Sequence, residues 1–136
     1  LMLLSISLIS CSEDDEEGVG SIAELVGTWE SVSCYYWDKE DGEVVYQDSD
    51  NDTDERIEFK ADGTCRAAEY YNGKWNWSEW ETYTYKNGKI MLSGDVDTVV
   101  KELTATKLVV EIYEKWTEDG IVYEYLEHAE YRKVSD

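Results

Sequence analysis

The sequence is poor in the residues on which most catalytic and nucleic-acid-binding sites depend. It has no proline, one histidine (His128), and 12 basic against 32 acidic residues, a formal net charge of −20 over 136 residues. With a single histidine, a metal site or a nucleophile–base pair would need unusual ligands. The negative field repels nucleic acid and anionic lipid surfaces. Because the sequence also lacks a phosphate-binding glycine loop, and its carboxylates are too numerous to single out a glycosidase pair, we predict no enzyme activity, no cofactor and no nucleic-acid partner.

Long hydrophobic runs are scarce as well. Residues 1–10 are apolar and uncharged, but ten residues are too few to span a bilayer as a helix. They match the apolar core of a secretory signal whose basic start is missing. The run ends in Leu8-Ile9-Ser10-Cys11, which resembles the lipobox of bacterial lipoproteins. That resemblance implies a signal segment over residues 1–11, a lipidated Cys11 and a membrane anchor; the alternative is a plain signal peptide with a chance cysteine.

The next residues change abruptly to acidic ones. Residues 12–20 combine the run Glu13-Asp14-Asp15-Glu16-Glu17 with glycines, and such a like-charge run predicts a flexible tether. It resembles the acidic signal that follows the lipidated cysteine in some Gram-negative surface lipoproteins. The resemblance implies a lipid-anchored protein of the bacterial outer membrane that faces outwards. A solvated spacer, with the protein on the periplasmic face, is the alternative.

Residues 21–136 predict one all-β domain. Five Asp-Gly or Asn-Gly steps, the strongest short hairpin signal, separate segments of alternating polarity; they begin at Asp41, Asp62, Asn72, Asn87 and Asp119. Tight sequential turns indicate an antiparallel meander, and closure of the sheet removes its exposed edges. We therefore predict an antiparallel up-and-down β-barrel of about eight strands with a short N-terminal helical turn. A β-sandwich is the alternative, which the lack of long crossovers disfavours.

The domain begins with a distinctive short stretch. An apolar turn, Ile22-Ala23-Glu24-Leu25-Val26, leads into Gly27-Thr28-Trp29. Glycine lets the backbone bend sharply, and a large aromatic side chain directly after such a corner can fill the end of a closed sheet. Gly27 and Trp29 are therefore the predicted plug of the barrel.

Several motifs together resemble a known family. The apolar turn with Gly27-Thr28-Trp29 is followed by Phe59-Lys60-Ala61-Asp62-Gly63-Thr64, then Tyr83–Ile90, then Leu103–Val109. Their order and spacing resemble the lipocalin-like domains of bacterial lipoproteins, small calycin-type barrels without an agreed activity. The resemblance implies a late basic residue stacked over the first-strand tryptophan, and Arg132 is its candidate here.

The aromatic residues suggest where a ligand would bind. The chain has six Trp and eleven Tyr but a single Phe. Trp75, Trp77, Tyr83 and Tyr85 fall on one parity of a predicted strand, and Trp37 lies near the end opposite Trp29. These five residues are the candidate site for a small apolar or glycan ligand. The alternative is that the rings fill the barrel, in which case an interaction or inhibitor protein would work through its outer surface.

Three further features carry weaker predictions. Asp48, Asp50, Asp52 and Asp54 alternate as in calcium loops but lack the glycine of the sharp turn, so they are a weak calcium candidate and more typical of a solvated loop. Cys34 and Cys65 lie on strands separated by at least one other strand, so we expect no bond between them. His128 falls on the face opposite the apolar one, as a surface histidine does.

Overall fold

The structure is a computed structural model that describes residues 20–92, 94 and 96–135. Within these residues the chain forms one helix, α1 (Ile22–Leu25), and ten strands. The strands are β1 (Gly27–Glu40), β2 (Glu43–Asp50), β3 (Glu55–Phe59), β4 (Thr64–Tyr71), β5 (Lys74–Trp77), β6 (Glu81–Lys86), β7 (Lys89–Leu92), β8 (Thr98–Leu103), β9 (Lys107–Glu118) and β10 (Ile121–Ser135). The predicted signal segment, Cys11 and nearly all of the predicted tether lie outside the described residues.

The strands form one closed antiparallel barrel. Strands that are consecutive in sequence pair with each other except β2 with β3 and β5 with β6, and β10 returns to pair with β1 from Ser135 opposite Thr28 to Tyr123 opposite Glu40. Two positions around the barrel are shared by a pair of strands. β2 and β3 both pair with β1, and β5 and β6 both pair with β4. The described strands therefore occupy eight positions, which confirms the predicted eight-stranded up-and-down barrel with its short helical turn.

Local turn chemistry explains why the meander forms. Asp41, Asn72, Asn87 and Asp119 have φ between 49° and 54°, and the glycine after each also has positive φ. Positive φ at both central residues is the type I′ arrangement that suits the twist of a hairpin. The fifth predicted step differs, because only Gly63 has positive φ, and Lys60 N–H instead donates to Thr64 O at 2.8 Å across a longer turn.

The connections alternate between the two ends of the barrel. The closed end holds α1, the first residues of β1 and the turns β3–β4, β6–β7 and β8–β9. The open end holds the turns β1–β2, β4–β5 and β9–β10. β1, β9 and β10 have 14, 12 and 15 residues, whereas β3 to β8 have 4 to 8. The sheet β9–β10–β1–β2, the long wall, therefore extends beyond the opposite wall at the open end.

The hydrophobic core lies towards the closed end. Leu25, Trp29 and Leu108 are the largest fully buried side chains. They form one cluster with buried residues of almost every strand, namely Phe59, Cys65, Tyr83, Ile90, Val100, Leu103, Val110, Ala129 and Tyr131. Because these side chains fill the closed end of the barrel, unfilled space is left in the interior towards the open end.

Among the irregularities of the sheet, two decide on which face the predicted ligand-binding residues lie. Directly opposed residues of antiparallel strands share a face of the sheet. The β1–β10 register shifts by one residue between Ser31 and Ser33, and β5 and β6 are interrupted at residues 78–80. A one-residue bulge moves every later side chain to the other face.

In the part of the chain that the structure describes, no helix is long and apolar enough to cross a bilayer.

Candidate ligand-binding site

The closed end is built around Trp29. Its indole is fully buried, and Nε1 donates a hydrogen bond to Leu25 O at 2.8 Å. This hydrogen bond holds α1 against the indole ring. Gly27, two residues earlier, has φ +138°, a region that residues with a Cβ rarely adopt. The corner and the buried ring together close this end.

The residue over the indole is not the predicted one. Lys133 Nζ lies 5.1 Å from the centre of the Trp29 ring and donates to Glu24 O at 2.9 Å. Arg132 is directly opposite Glu30 and bonds to it on the outer face. The prediction of Arg132 as the lid is therefore wrong by one residue, because adjacent residues of a strand point to opposite faces.

Glu30 forms the centre of an ion network on the outer face. Arg56 Nε donates to Glu30 Oε2 at 3.0 Å, and Arg132 donates to Oε1. Burial of this side chain raises the carboxyl pKa, but the hydrogen bonds and charges of the two arginines outweigh burial, so the Glu30 pKa lies below its usual value. The network joins β1, β3 and β10 across the closure of the barrel.

A cavity of about 500 Å³ occupies the barrel interior on the side of the open end. Residues of β3, β4 and β5 line it together with Tyr131 of β10. Since β10 is not a neighbour of β4 or β5 in the sheet, only the inside of the barrel brings these residues together. The inward-facing lining comprises Glu55, Ile57, Ala67, Glu69, Tyr71, Asn76, Ser78 and Tyr131.

Two further cavities adjoin this space and differ in character. A pocket of about 140 Å³ lies deeper and shares Ile57, Ala67 and Tyr131 with the large cavity. Its other walls are mostly apolar, with Phe59, Ile90, Leu92, Leu108 and Val110. A third cavity of about 320 Å³ shares Glu55 and lies against the long wall. It is lined by acidic and tyrosine side chains, which include Tyr36, Asp50, Tyr125 and Glu127.

Glu55 and Tyr131 mark the boundary between the polar and apolar parts. Partial burial, and then the charges of neighbouring acids, raise the pKa of Glu55. Burial is also the main cause of the raised pKa of Tyr131, whose side chain is 8% exposed. The interior therefore combines an apolar base, a buried phenol and an uncompensated negative field.

The structure does not bring the five predicted ligand-binding residues together. Trp75 and Trp77 oppose Tyr70 and Ala68 on the outer face, where Arg56 and Arg66 lie 4.3 and 4.2 Å from their ring centres. The prediction that these rings share a face with Tyr83 and Tyr85 is wrong, because the break at residues 78–80 reverses the parity.

The two tyrosines instead belong to the closed end. Tyr83 is buried and donates to Lys60 O at 2.8 Å, and Tyr85 donates to Gly20 O at 2.8 Å. Trp37 lies near the open end but on the outer face, opposite Leu126 and Gln47. Trp37, Trp75 and Trp77 are thus at the same end, as predicted from the alternating turns, yet their rings lie on the outer face, and of the three only Trp77 contributes atoms to the wall of the large cavity. Their part in ligand binding stays a prediction.

Sequence reasoning missed the residues that do line the cavity. Tyr125 and Tyr131 fall on the apolar parity of the last strand, and this was the signal that could have identified them. Glu55 and Glu127 carried no such signal, because acidic residues are abundant throughout the chain. Ala67 is informative only when its neighbours are known, since a small inward residue leaves space.

The remaining predicted features lie elsewhere. Asp48 and Asp50 are in β2, and among the described residues no group of three or more His, Cys, Asp or Glu side chains is placed to hold a metal ion. Cys34 is half-buried, Cys65 is buried, and both are free thiols whose pKa burial raises to about 11. His128 is on the outer face, with Nδ1 2.8 Å from Glu111 Oε2 and its ring stacked on Tyr35.

Comparison with known proteins agrees with this architecture. No curated protein matches the chain. The model of a family described as the lipocalin-like domain matches residues 25–110, from the last residue of α1 to the middle of β9. The match covers more than half of the chain and includes β1, β3, β4 and β5, so the chain belongs to the lipocalin-like domain family.

Proposed function

We propose that the protein binds a small molecule inside its barrel and performs no catalysis. The observation that supports this proposal is the cavity of about 500 Å³ above a filled closed end. Ligand pockets in proteins usually measure about 300–1,000 Å³ and combine apolar walls with a few polar groups. The apolar pocket below the cavity fits an apolar ligand or an apolar part of one, and the polar groups above it fit a glycan or a charged part.

We further propose that the protein is a lipoprotein of the bacterial outer membrane, anchored through Cys11. Support for this comes from the sequence alone, through Leu8-Ile9-Ser10-Cys11 and the acidic residues after it. A lipid-anchored barrel exposed to the surroundings would be in a position to capture a ligand outside the cell. The placement on the outer rather than the periplasmic face depends on the acidic tether.

Cavity binding can be tested with a neutral fluorescent probe. N-phenyl-1-naphthylamine should bind the protein with an increase in fluorescence. Ala67 lines both the large cavity and the apolar pocket, so Ala67→Phe should weaken binding about tenfold or more by filling the space. Ala61→Phe makes the same change in an exposed turn at the closed end and should leave the affinity unchanged. Equal affinities of the two variants would contradict binding in the cavity.

The alternative is a protein partner held by the outer surface. It is favoured by the aromatic outer face of β4 and β5, where Trp77 and Trp80 both stack with Arg66 at 4.2 and 4.4 Å. Aromatic and arginine side chains are common at the centres of protein interfaces. Trp80→Ala separates the two functions, because Trp80 does not line the large cavity and the substitution should leave N-phenyl-1-naphthylamine binding unchanged if the cavity is the site.

A further inference from the structure

We propose that the ligand is an amphipathic amine, with its ammonium group beside Glu55 and its apolar part in the pocket beneath. This inference rests on the proposed function, since it concerns the chemistry of the same cavity. It commits to a free small molecule, because the space of about 500 Å³ has the size of a single such ligand.

The barrel interior carries an unbalanced negative charge. Glu55, Glu69, Glu127 and Asp50 approach the cavity from β3, β4, β10 and β2. Within the described part of the chain, none of the four carboxylates forms a salt bridge. Glu55, Glu69 and Asp50 are exposed to the open space, and the half-buried Glu127 accepts a hydrogen bond from Tyr125 at 2.8 Å, so like charges converge on one space without a cation between them. A bound cation would supply the missing partner.

The protein's own nearby cations are committed to the opposite face. Atoms of Arg56 and Arg66 contribute to the cavity walls, but their guanidinium groups lie outside. Arg56 bonds to Glu30 and stacks on Trp75, and Arg66 bonds to Glu58 and stacks on two tryptophans. These cations therefore leave the interior field uncompensated.

The hydroxyl of Tyr131 offers a hydrogen-bond acceptor to such a cation. The residue is 8% exposed, and it lines both the large cavity and the apolar pocket. Among the described residues this hydroxyl has no hydrogen-bond partner, and since no fully buried side-chain polar atom of these residues lacks one, its oxygen is open to the cavity. An ammonium group can donate to it. The rings of Tyr36 and Tyr125, 6.5 Å apart, face the same interior and can attract a cation through their π systems.

The inward-facing side chains of β3 change from acidic to apolar along the strand. Glu55, Ile57 and Phe59 share the inner face and run from the open towards the closed end. Consecutive inward residues of a strand are about 7 Å apart. A ligand with an ammonium group two to four carbons from a ring or short alkyl group would thus reach the acidic residues and the apolar pocket at once. An anionic ligand would meet repulsion at every point of this path.

The test compares three probes of the same shape on the full-length protein. 2-Phenylethylamine is a cation at neutral pH, 2-phenylethanol is neutral and 3-phenylpropionate is an anion. Isothermal titration calorimetry should show the amine binding at least about tenfold more tightly than the alcohol, equivalent to about 1.4 kcal/mol, and no measurable binding of the carboxylate. Equal binding of amine and alcohol, or binding of none of the three, would overturn the proposal.

Matched variants on β10 separate an inner from an outer carboxylate. Glu127 faces the cavity, and Glu130, on the outer face, opposes Val109. Glu127→Gln, and likewise Glu55→Gln, should weaken amine binding about tenfold while leaving alcohol binding within about twofold. Glu130→Gln, with the same loss of charge, should leave both unchanged. If Glu130→Gln weakens the amine as much as Glu127→Gln does, the effect is a general charge effect and the inference fails.

The two levels of the proposal fail differently. If Ala67→Phe abolishes binding of both amine and alcohol, and the two bind equally, the cavity is the binding site but the cationic preference is wrong. If Ala67→Phe leaves N-phenyl-1-naphthylamine binding intact, the cavity is not the binding site. Both the proposed ligand-binding function and the proposed preference for an amine are then wrong.

Discussion

Glu30 and Glu55 lie on neighbouring strands, and their surroundings shift their carboxyl pKa values in opposite directions. Glu30 accepts hydrogen bonds from two arginines that outweigh the effect of burial, so its pKa is lowered. Glu55 combines partial burial with the repulsion of Asp54, Glu69 and other acids, so its pKa is raised. The first ionised carboxylate stabilises the fold, whereas the second destabilises it.

Opposite pH dependences should follow from these two residues. A lowered pKa contributes stability above the usual value of 4.5 that is lost as the pH falls through the folded-state value. Glu30→Gln should therefore lower the free energy of unfolding at pH 7 by about 1 to 3 kcal/mol, and match the parent in strong acid. A raised pKa has the reverse effect, so Glu55→Gln should raise the stability at pH 7 and lose this advantage as the pH falls through the folded-state value towards 4.5.

Urea denaturation of parent and variants across this pH range measures both effects. Glu58→Gln serves as the control for Glu30, since Glu58 forms a single, half-exposed salt bridge to Arg66, which should contribute about 0 to 1 kcal/mol. The account would be wrong if Glu55→Gln lowered the stability at pH 7.

Trp29 makes the largest single contribution that we expect at this scale. Trp29→Ala removes a fully buried ring and its hydrogen bond to Leu25 O, and should lower the free energy of unfolding by about 3 to 5 kcal/mol. Trp80 is 39% exposed and stacks with Lys60 and Arg66, so Trp80→Ala should cost about 1 kcal/mol or less. Reversible denaturation gives both values, and a loss below 1 kcal/mol for Trp29→Ala would mean that the ring does not organise the closed end.

At the scale of elements, the hairpins were predictable from the sequence and the bulges were not. Asn-Gly and Asp-Gly steps require positive φ, which few other residue pairs tolerate, so the turn positions are readable from local chemistry. The shift near Val32 and the break at residues 78–80 depend on how strands of unequal length pair in the closed sheet. No residue type in the local sequence indicates the shift or the break.

The consequence of those bulges was largest for the candidate site. The shift near Val32 separates Trp29 from Trp37, and the break at residues 78–80 separates Trp75 and Trp77 from Tyr83. The sequence therefore predicted the correct face for Trp29 but the wrong face for Trp37, Trp75 and Trp77. The end of the barrel to which each residue belongs was predictable, since ends alternate along a meander. The face was not, because a single inserted residue inverts it.

The β1–β2 turn is also tied to a strand beyond its own hairpin. Asp41 Oδ1 accepts a hydrogen bond from Val122 N–H at 3.0 Å, and Asp41 N–H donates to Val122 O at 2.7 Å. Asp41→Ala should cost about 1 to 2 kcal/mol, since it loses both the acceptor and the tolerance of positive φ. Asp41→Asn should cost less, because the amide oxygen can still accept.

Asp119→Ala is the comparison for this element. Asp119 has φ 52° as well, but within the described residues its side chain has no hydrogen bond, so only the conformational cost of about 1 kcal/mol should remain. Thermal or chemical unfolding distinguishes the two. Equal losses for Asp41→Ala and Asp119→Ala would show that the tie to β10 adds nothing.

At the scale of the whole molecule, the proposed anchor at Cys11 would decide where the cavity meets a ligand. Cys11→Ser should release the protein from the membrane fraction, because acyl chains on that cysteine would be its attachment. Cys34→Ser provides the matched control, since Cys34 is a half-buried thiol of the barrel, and it should stay with the membrane. Fractionation and immunoblotting of both variants give the answer, and an unchanged distribution of Cys11→Ser would contradict the anchor.

The long wall has a consequence for behaviour in acid. β2 pairs with β1 along one edge, and its side chains are all exposed. The backbone N–H and C=O groups along its other edge are therefore available to pair with a strand of another molecule. Glu43, Asp48 and Asp50 on this strand repel a second copy while they are ionised. Near the sequence isoelectric point of about 4.2 that repulsion fades, and edge-to-edge association of β2 becomes the first route to precipitation, detectable by light scattering well before the barrel itself unfolds.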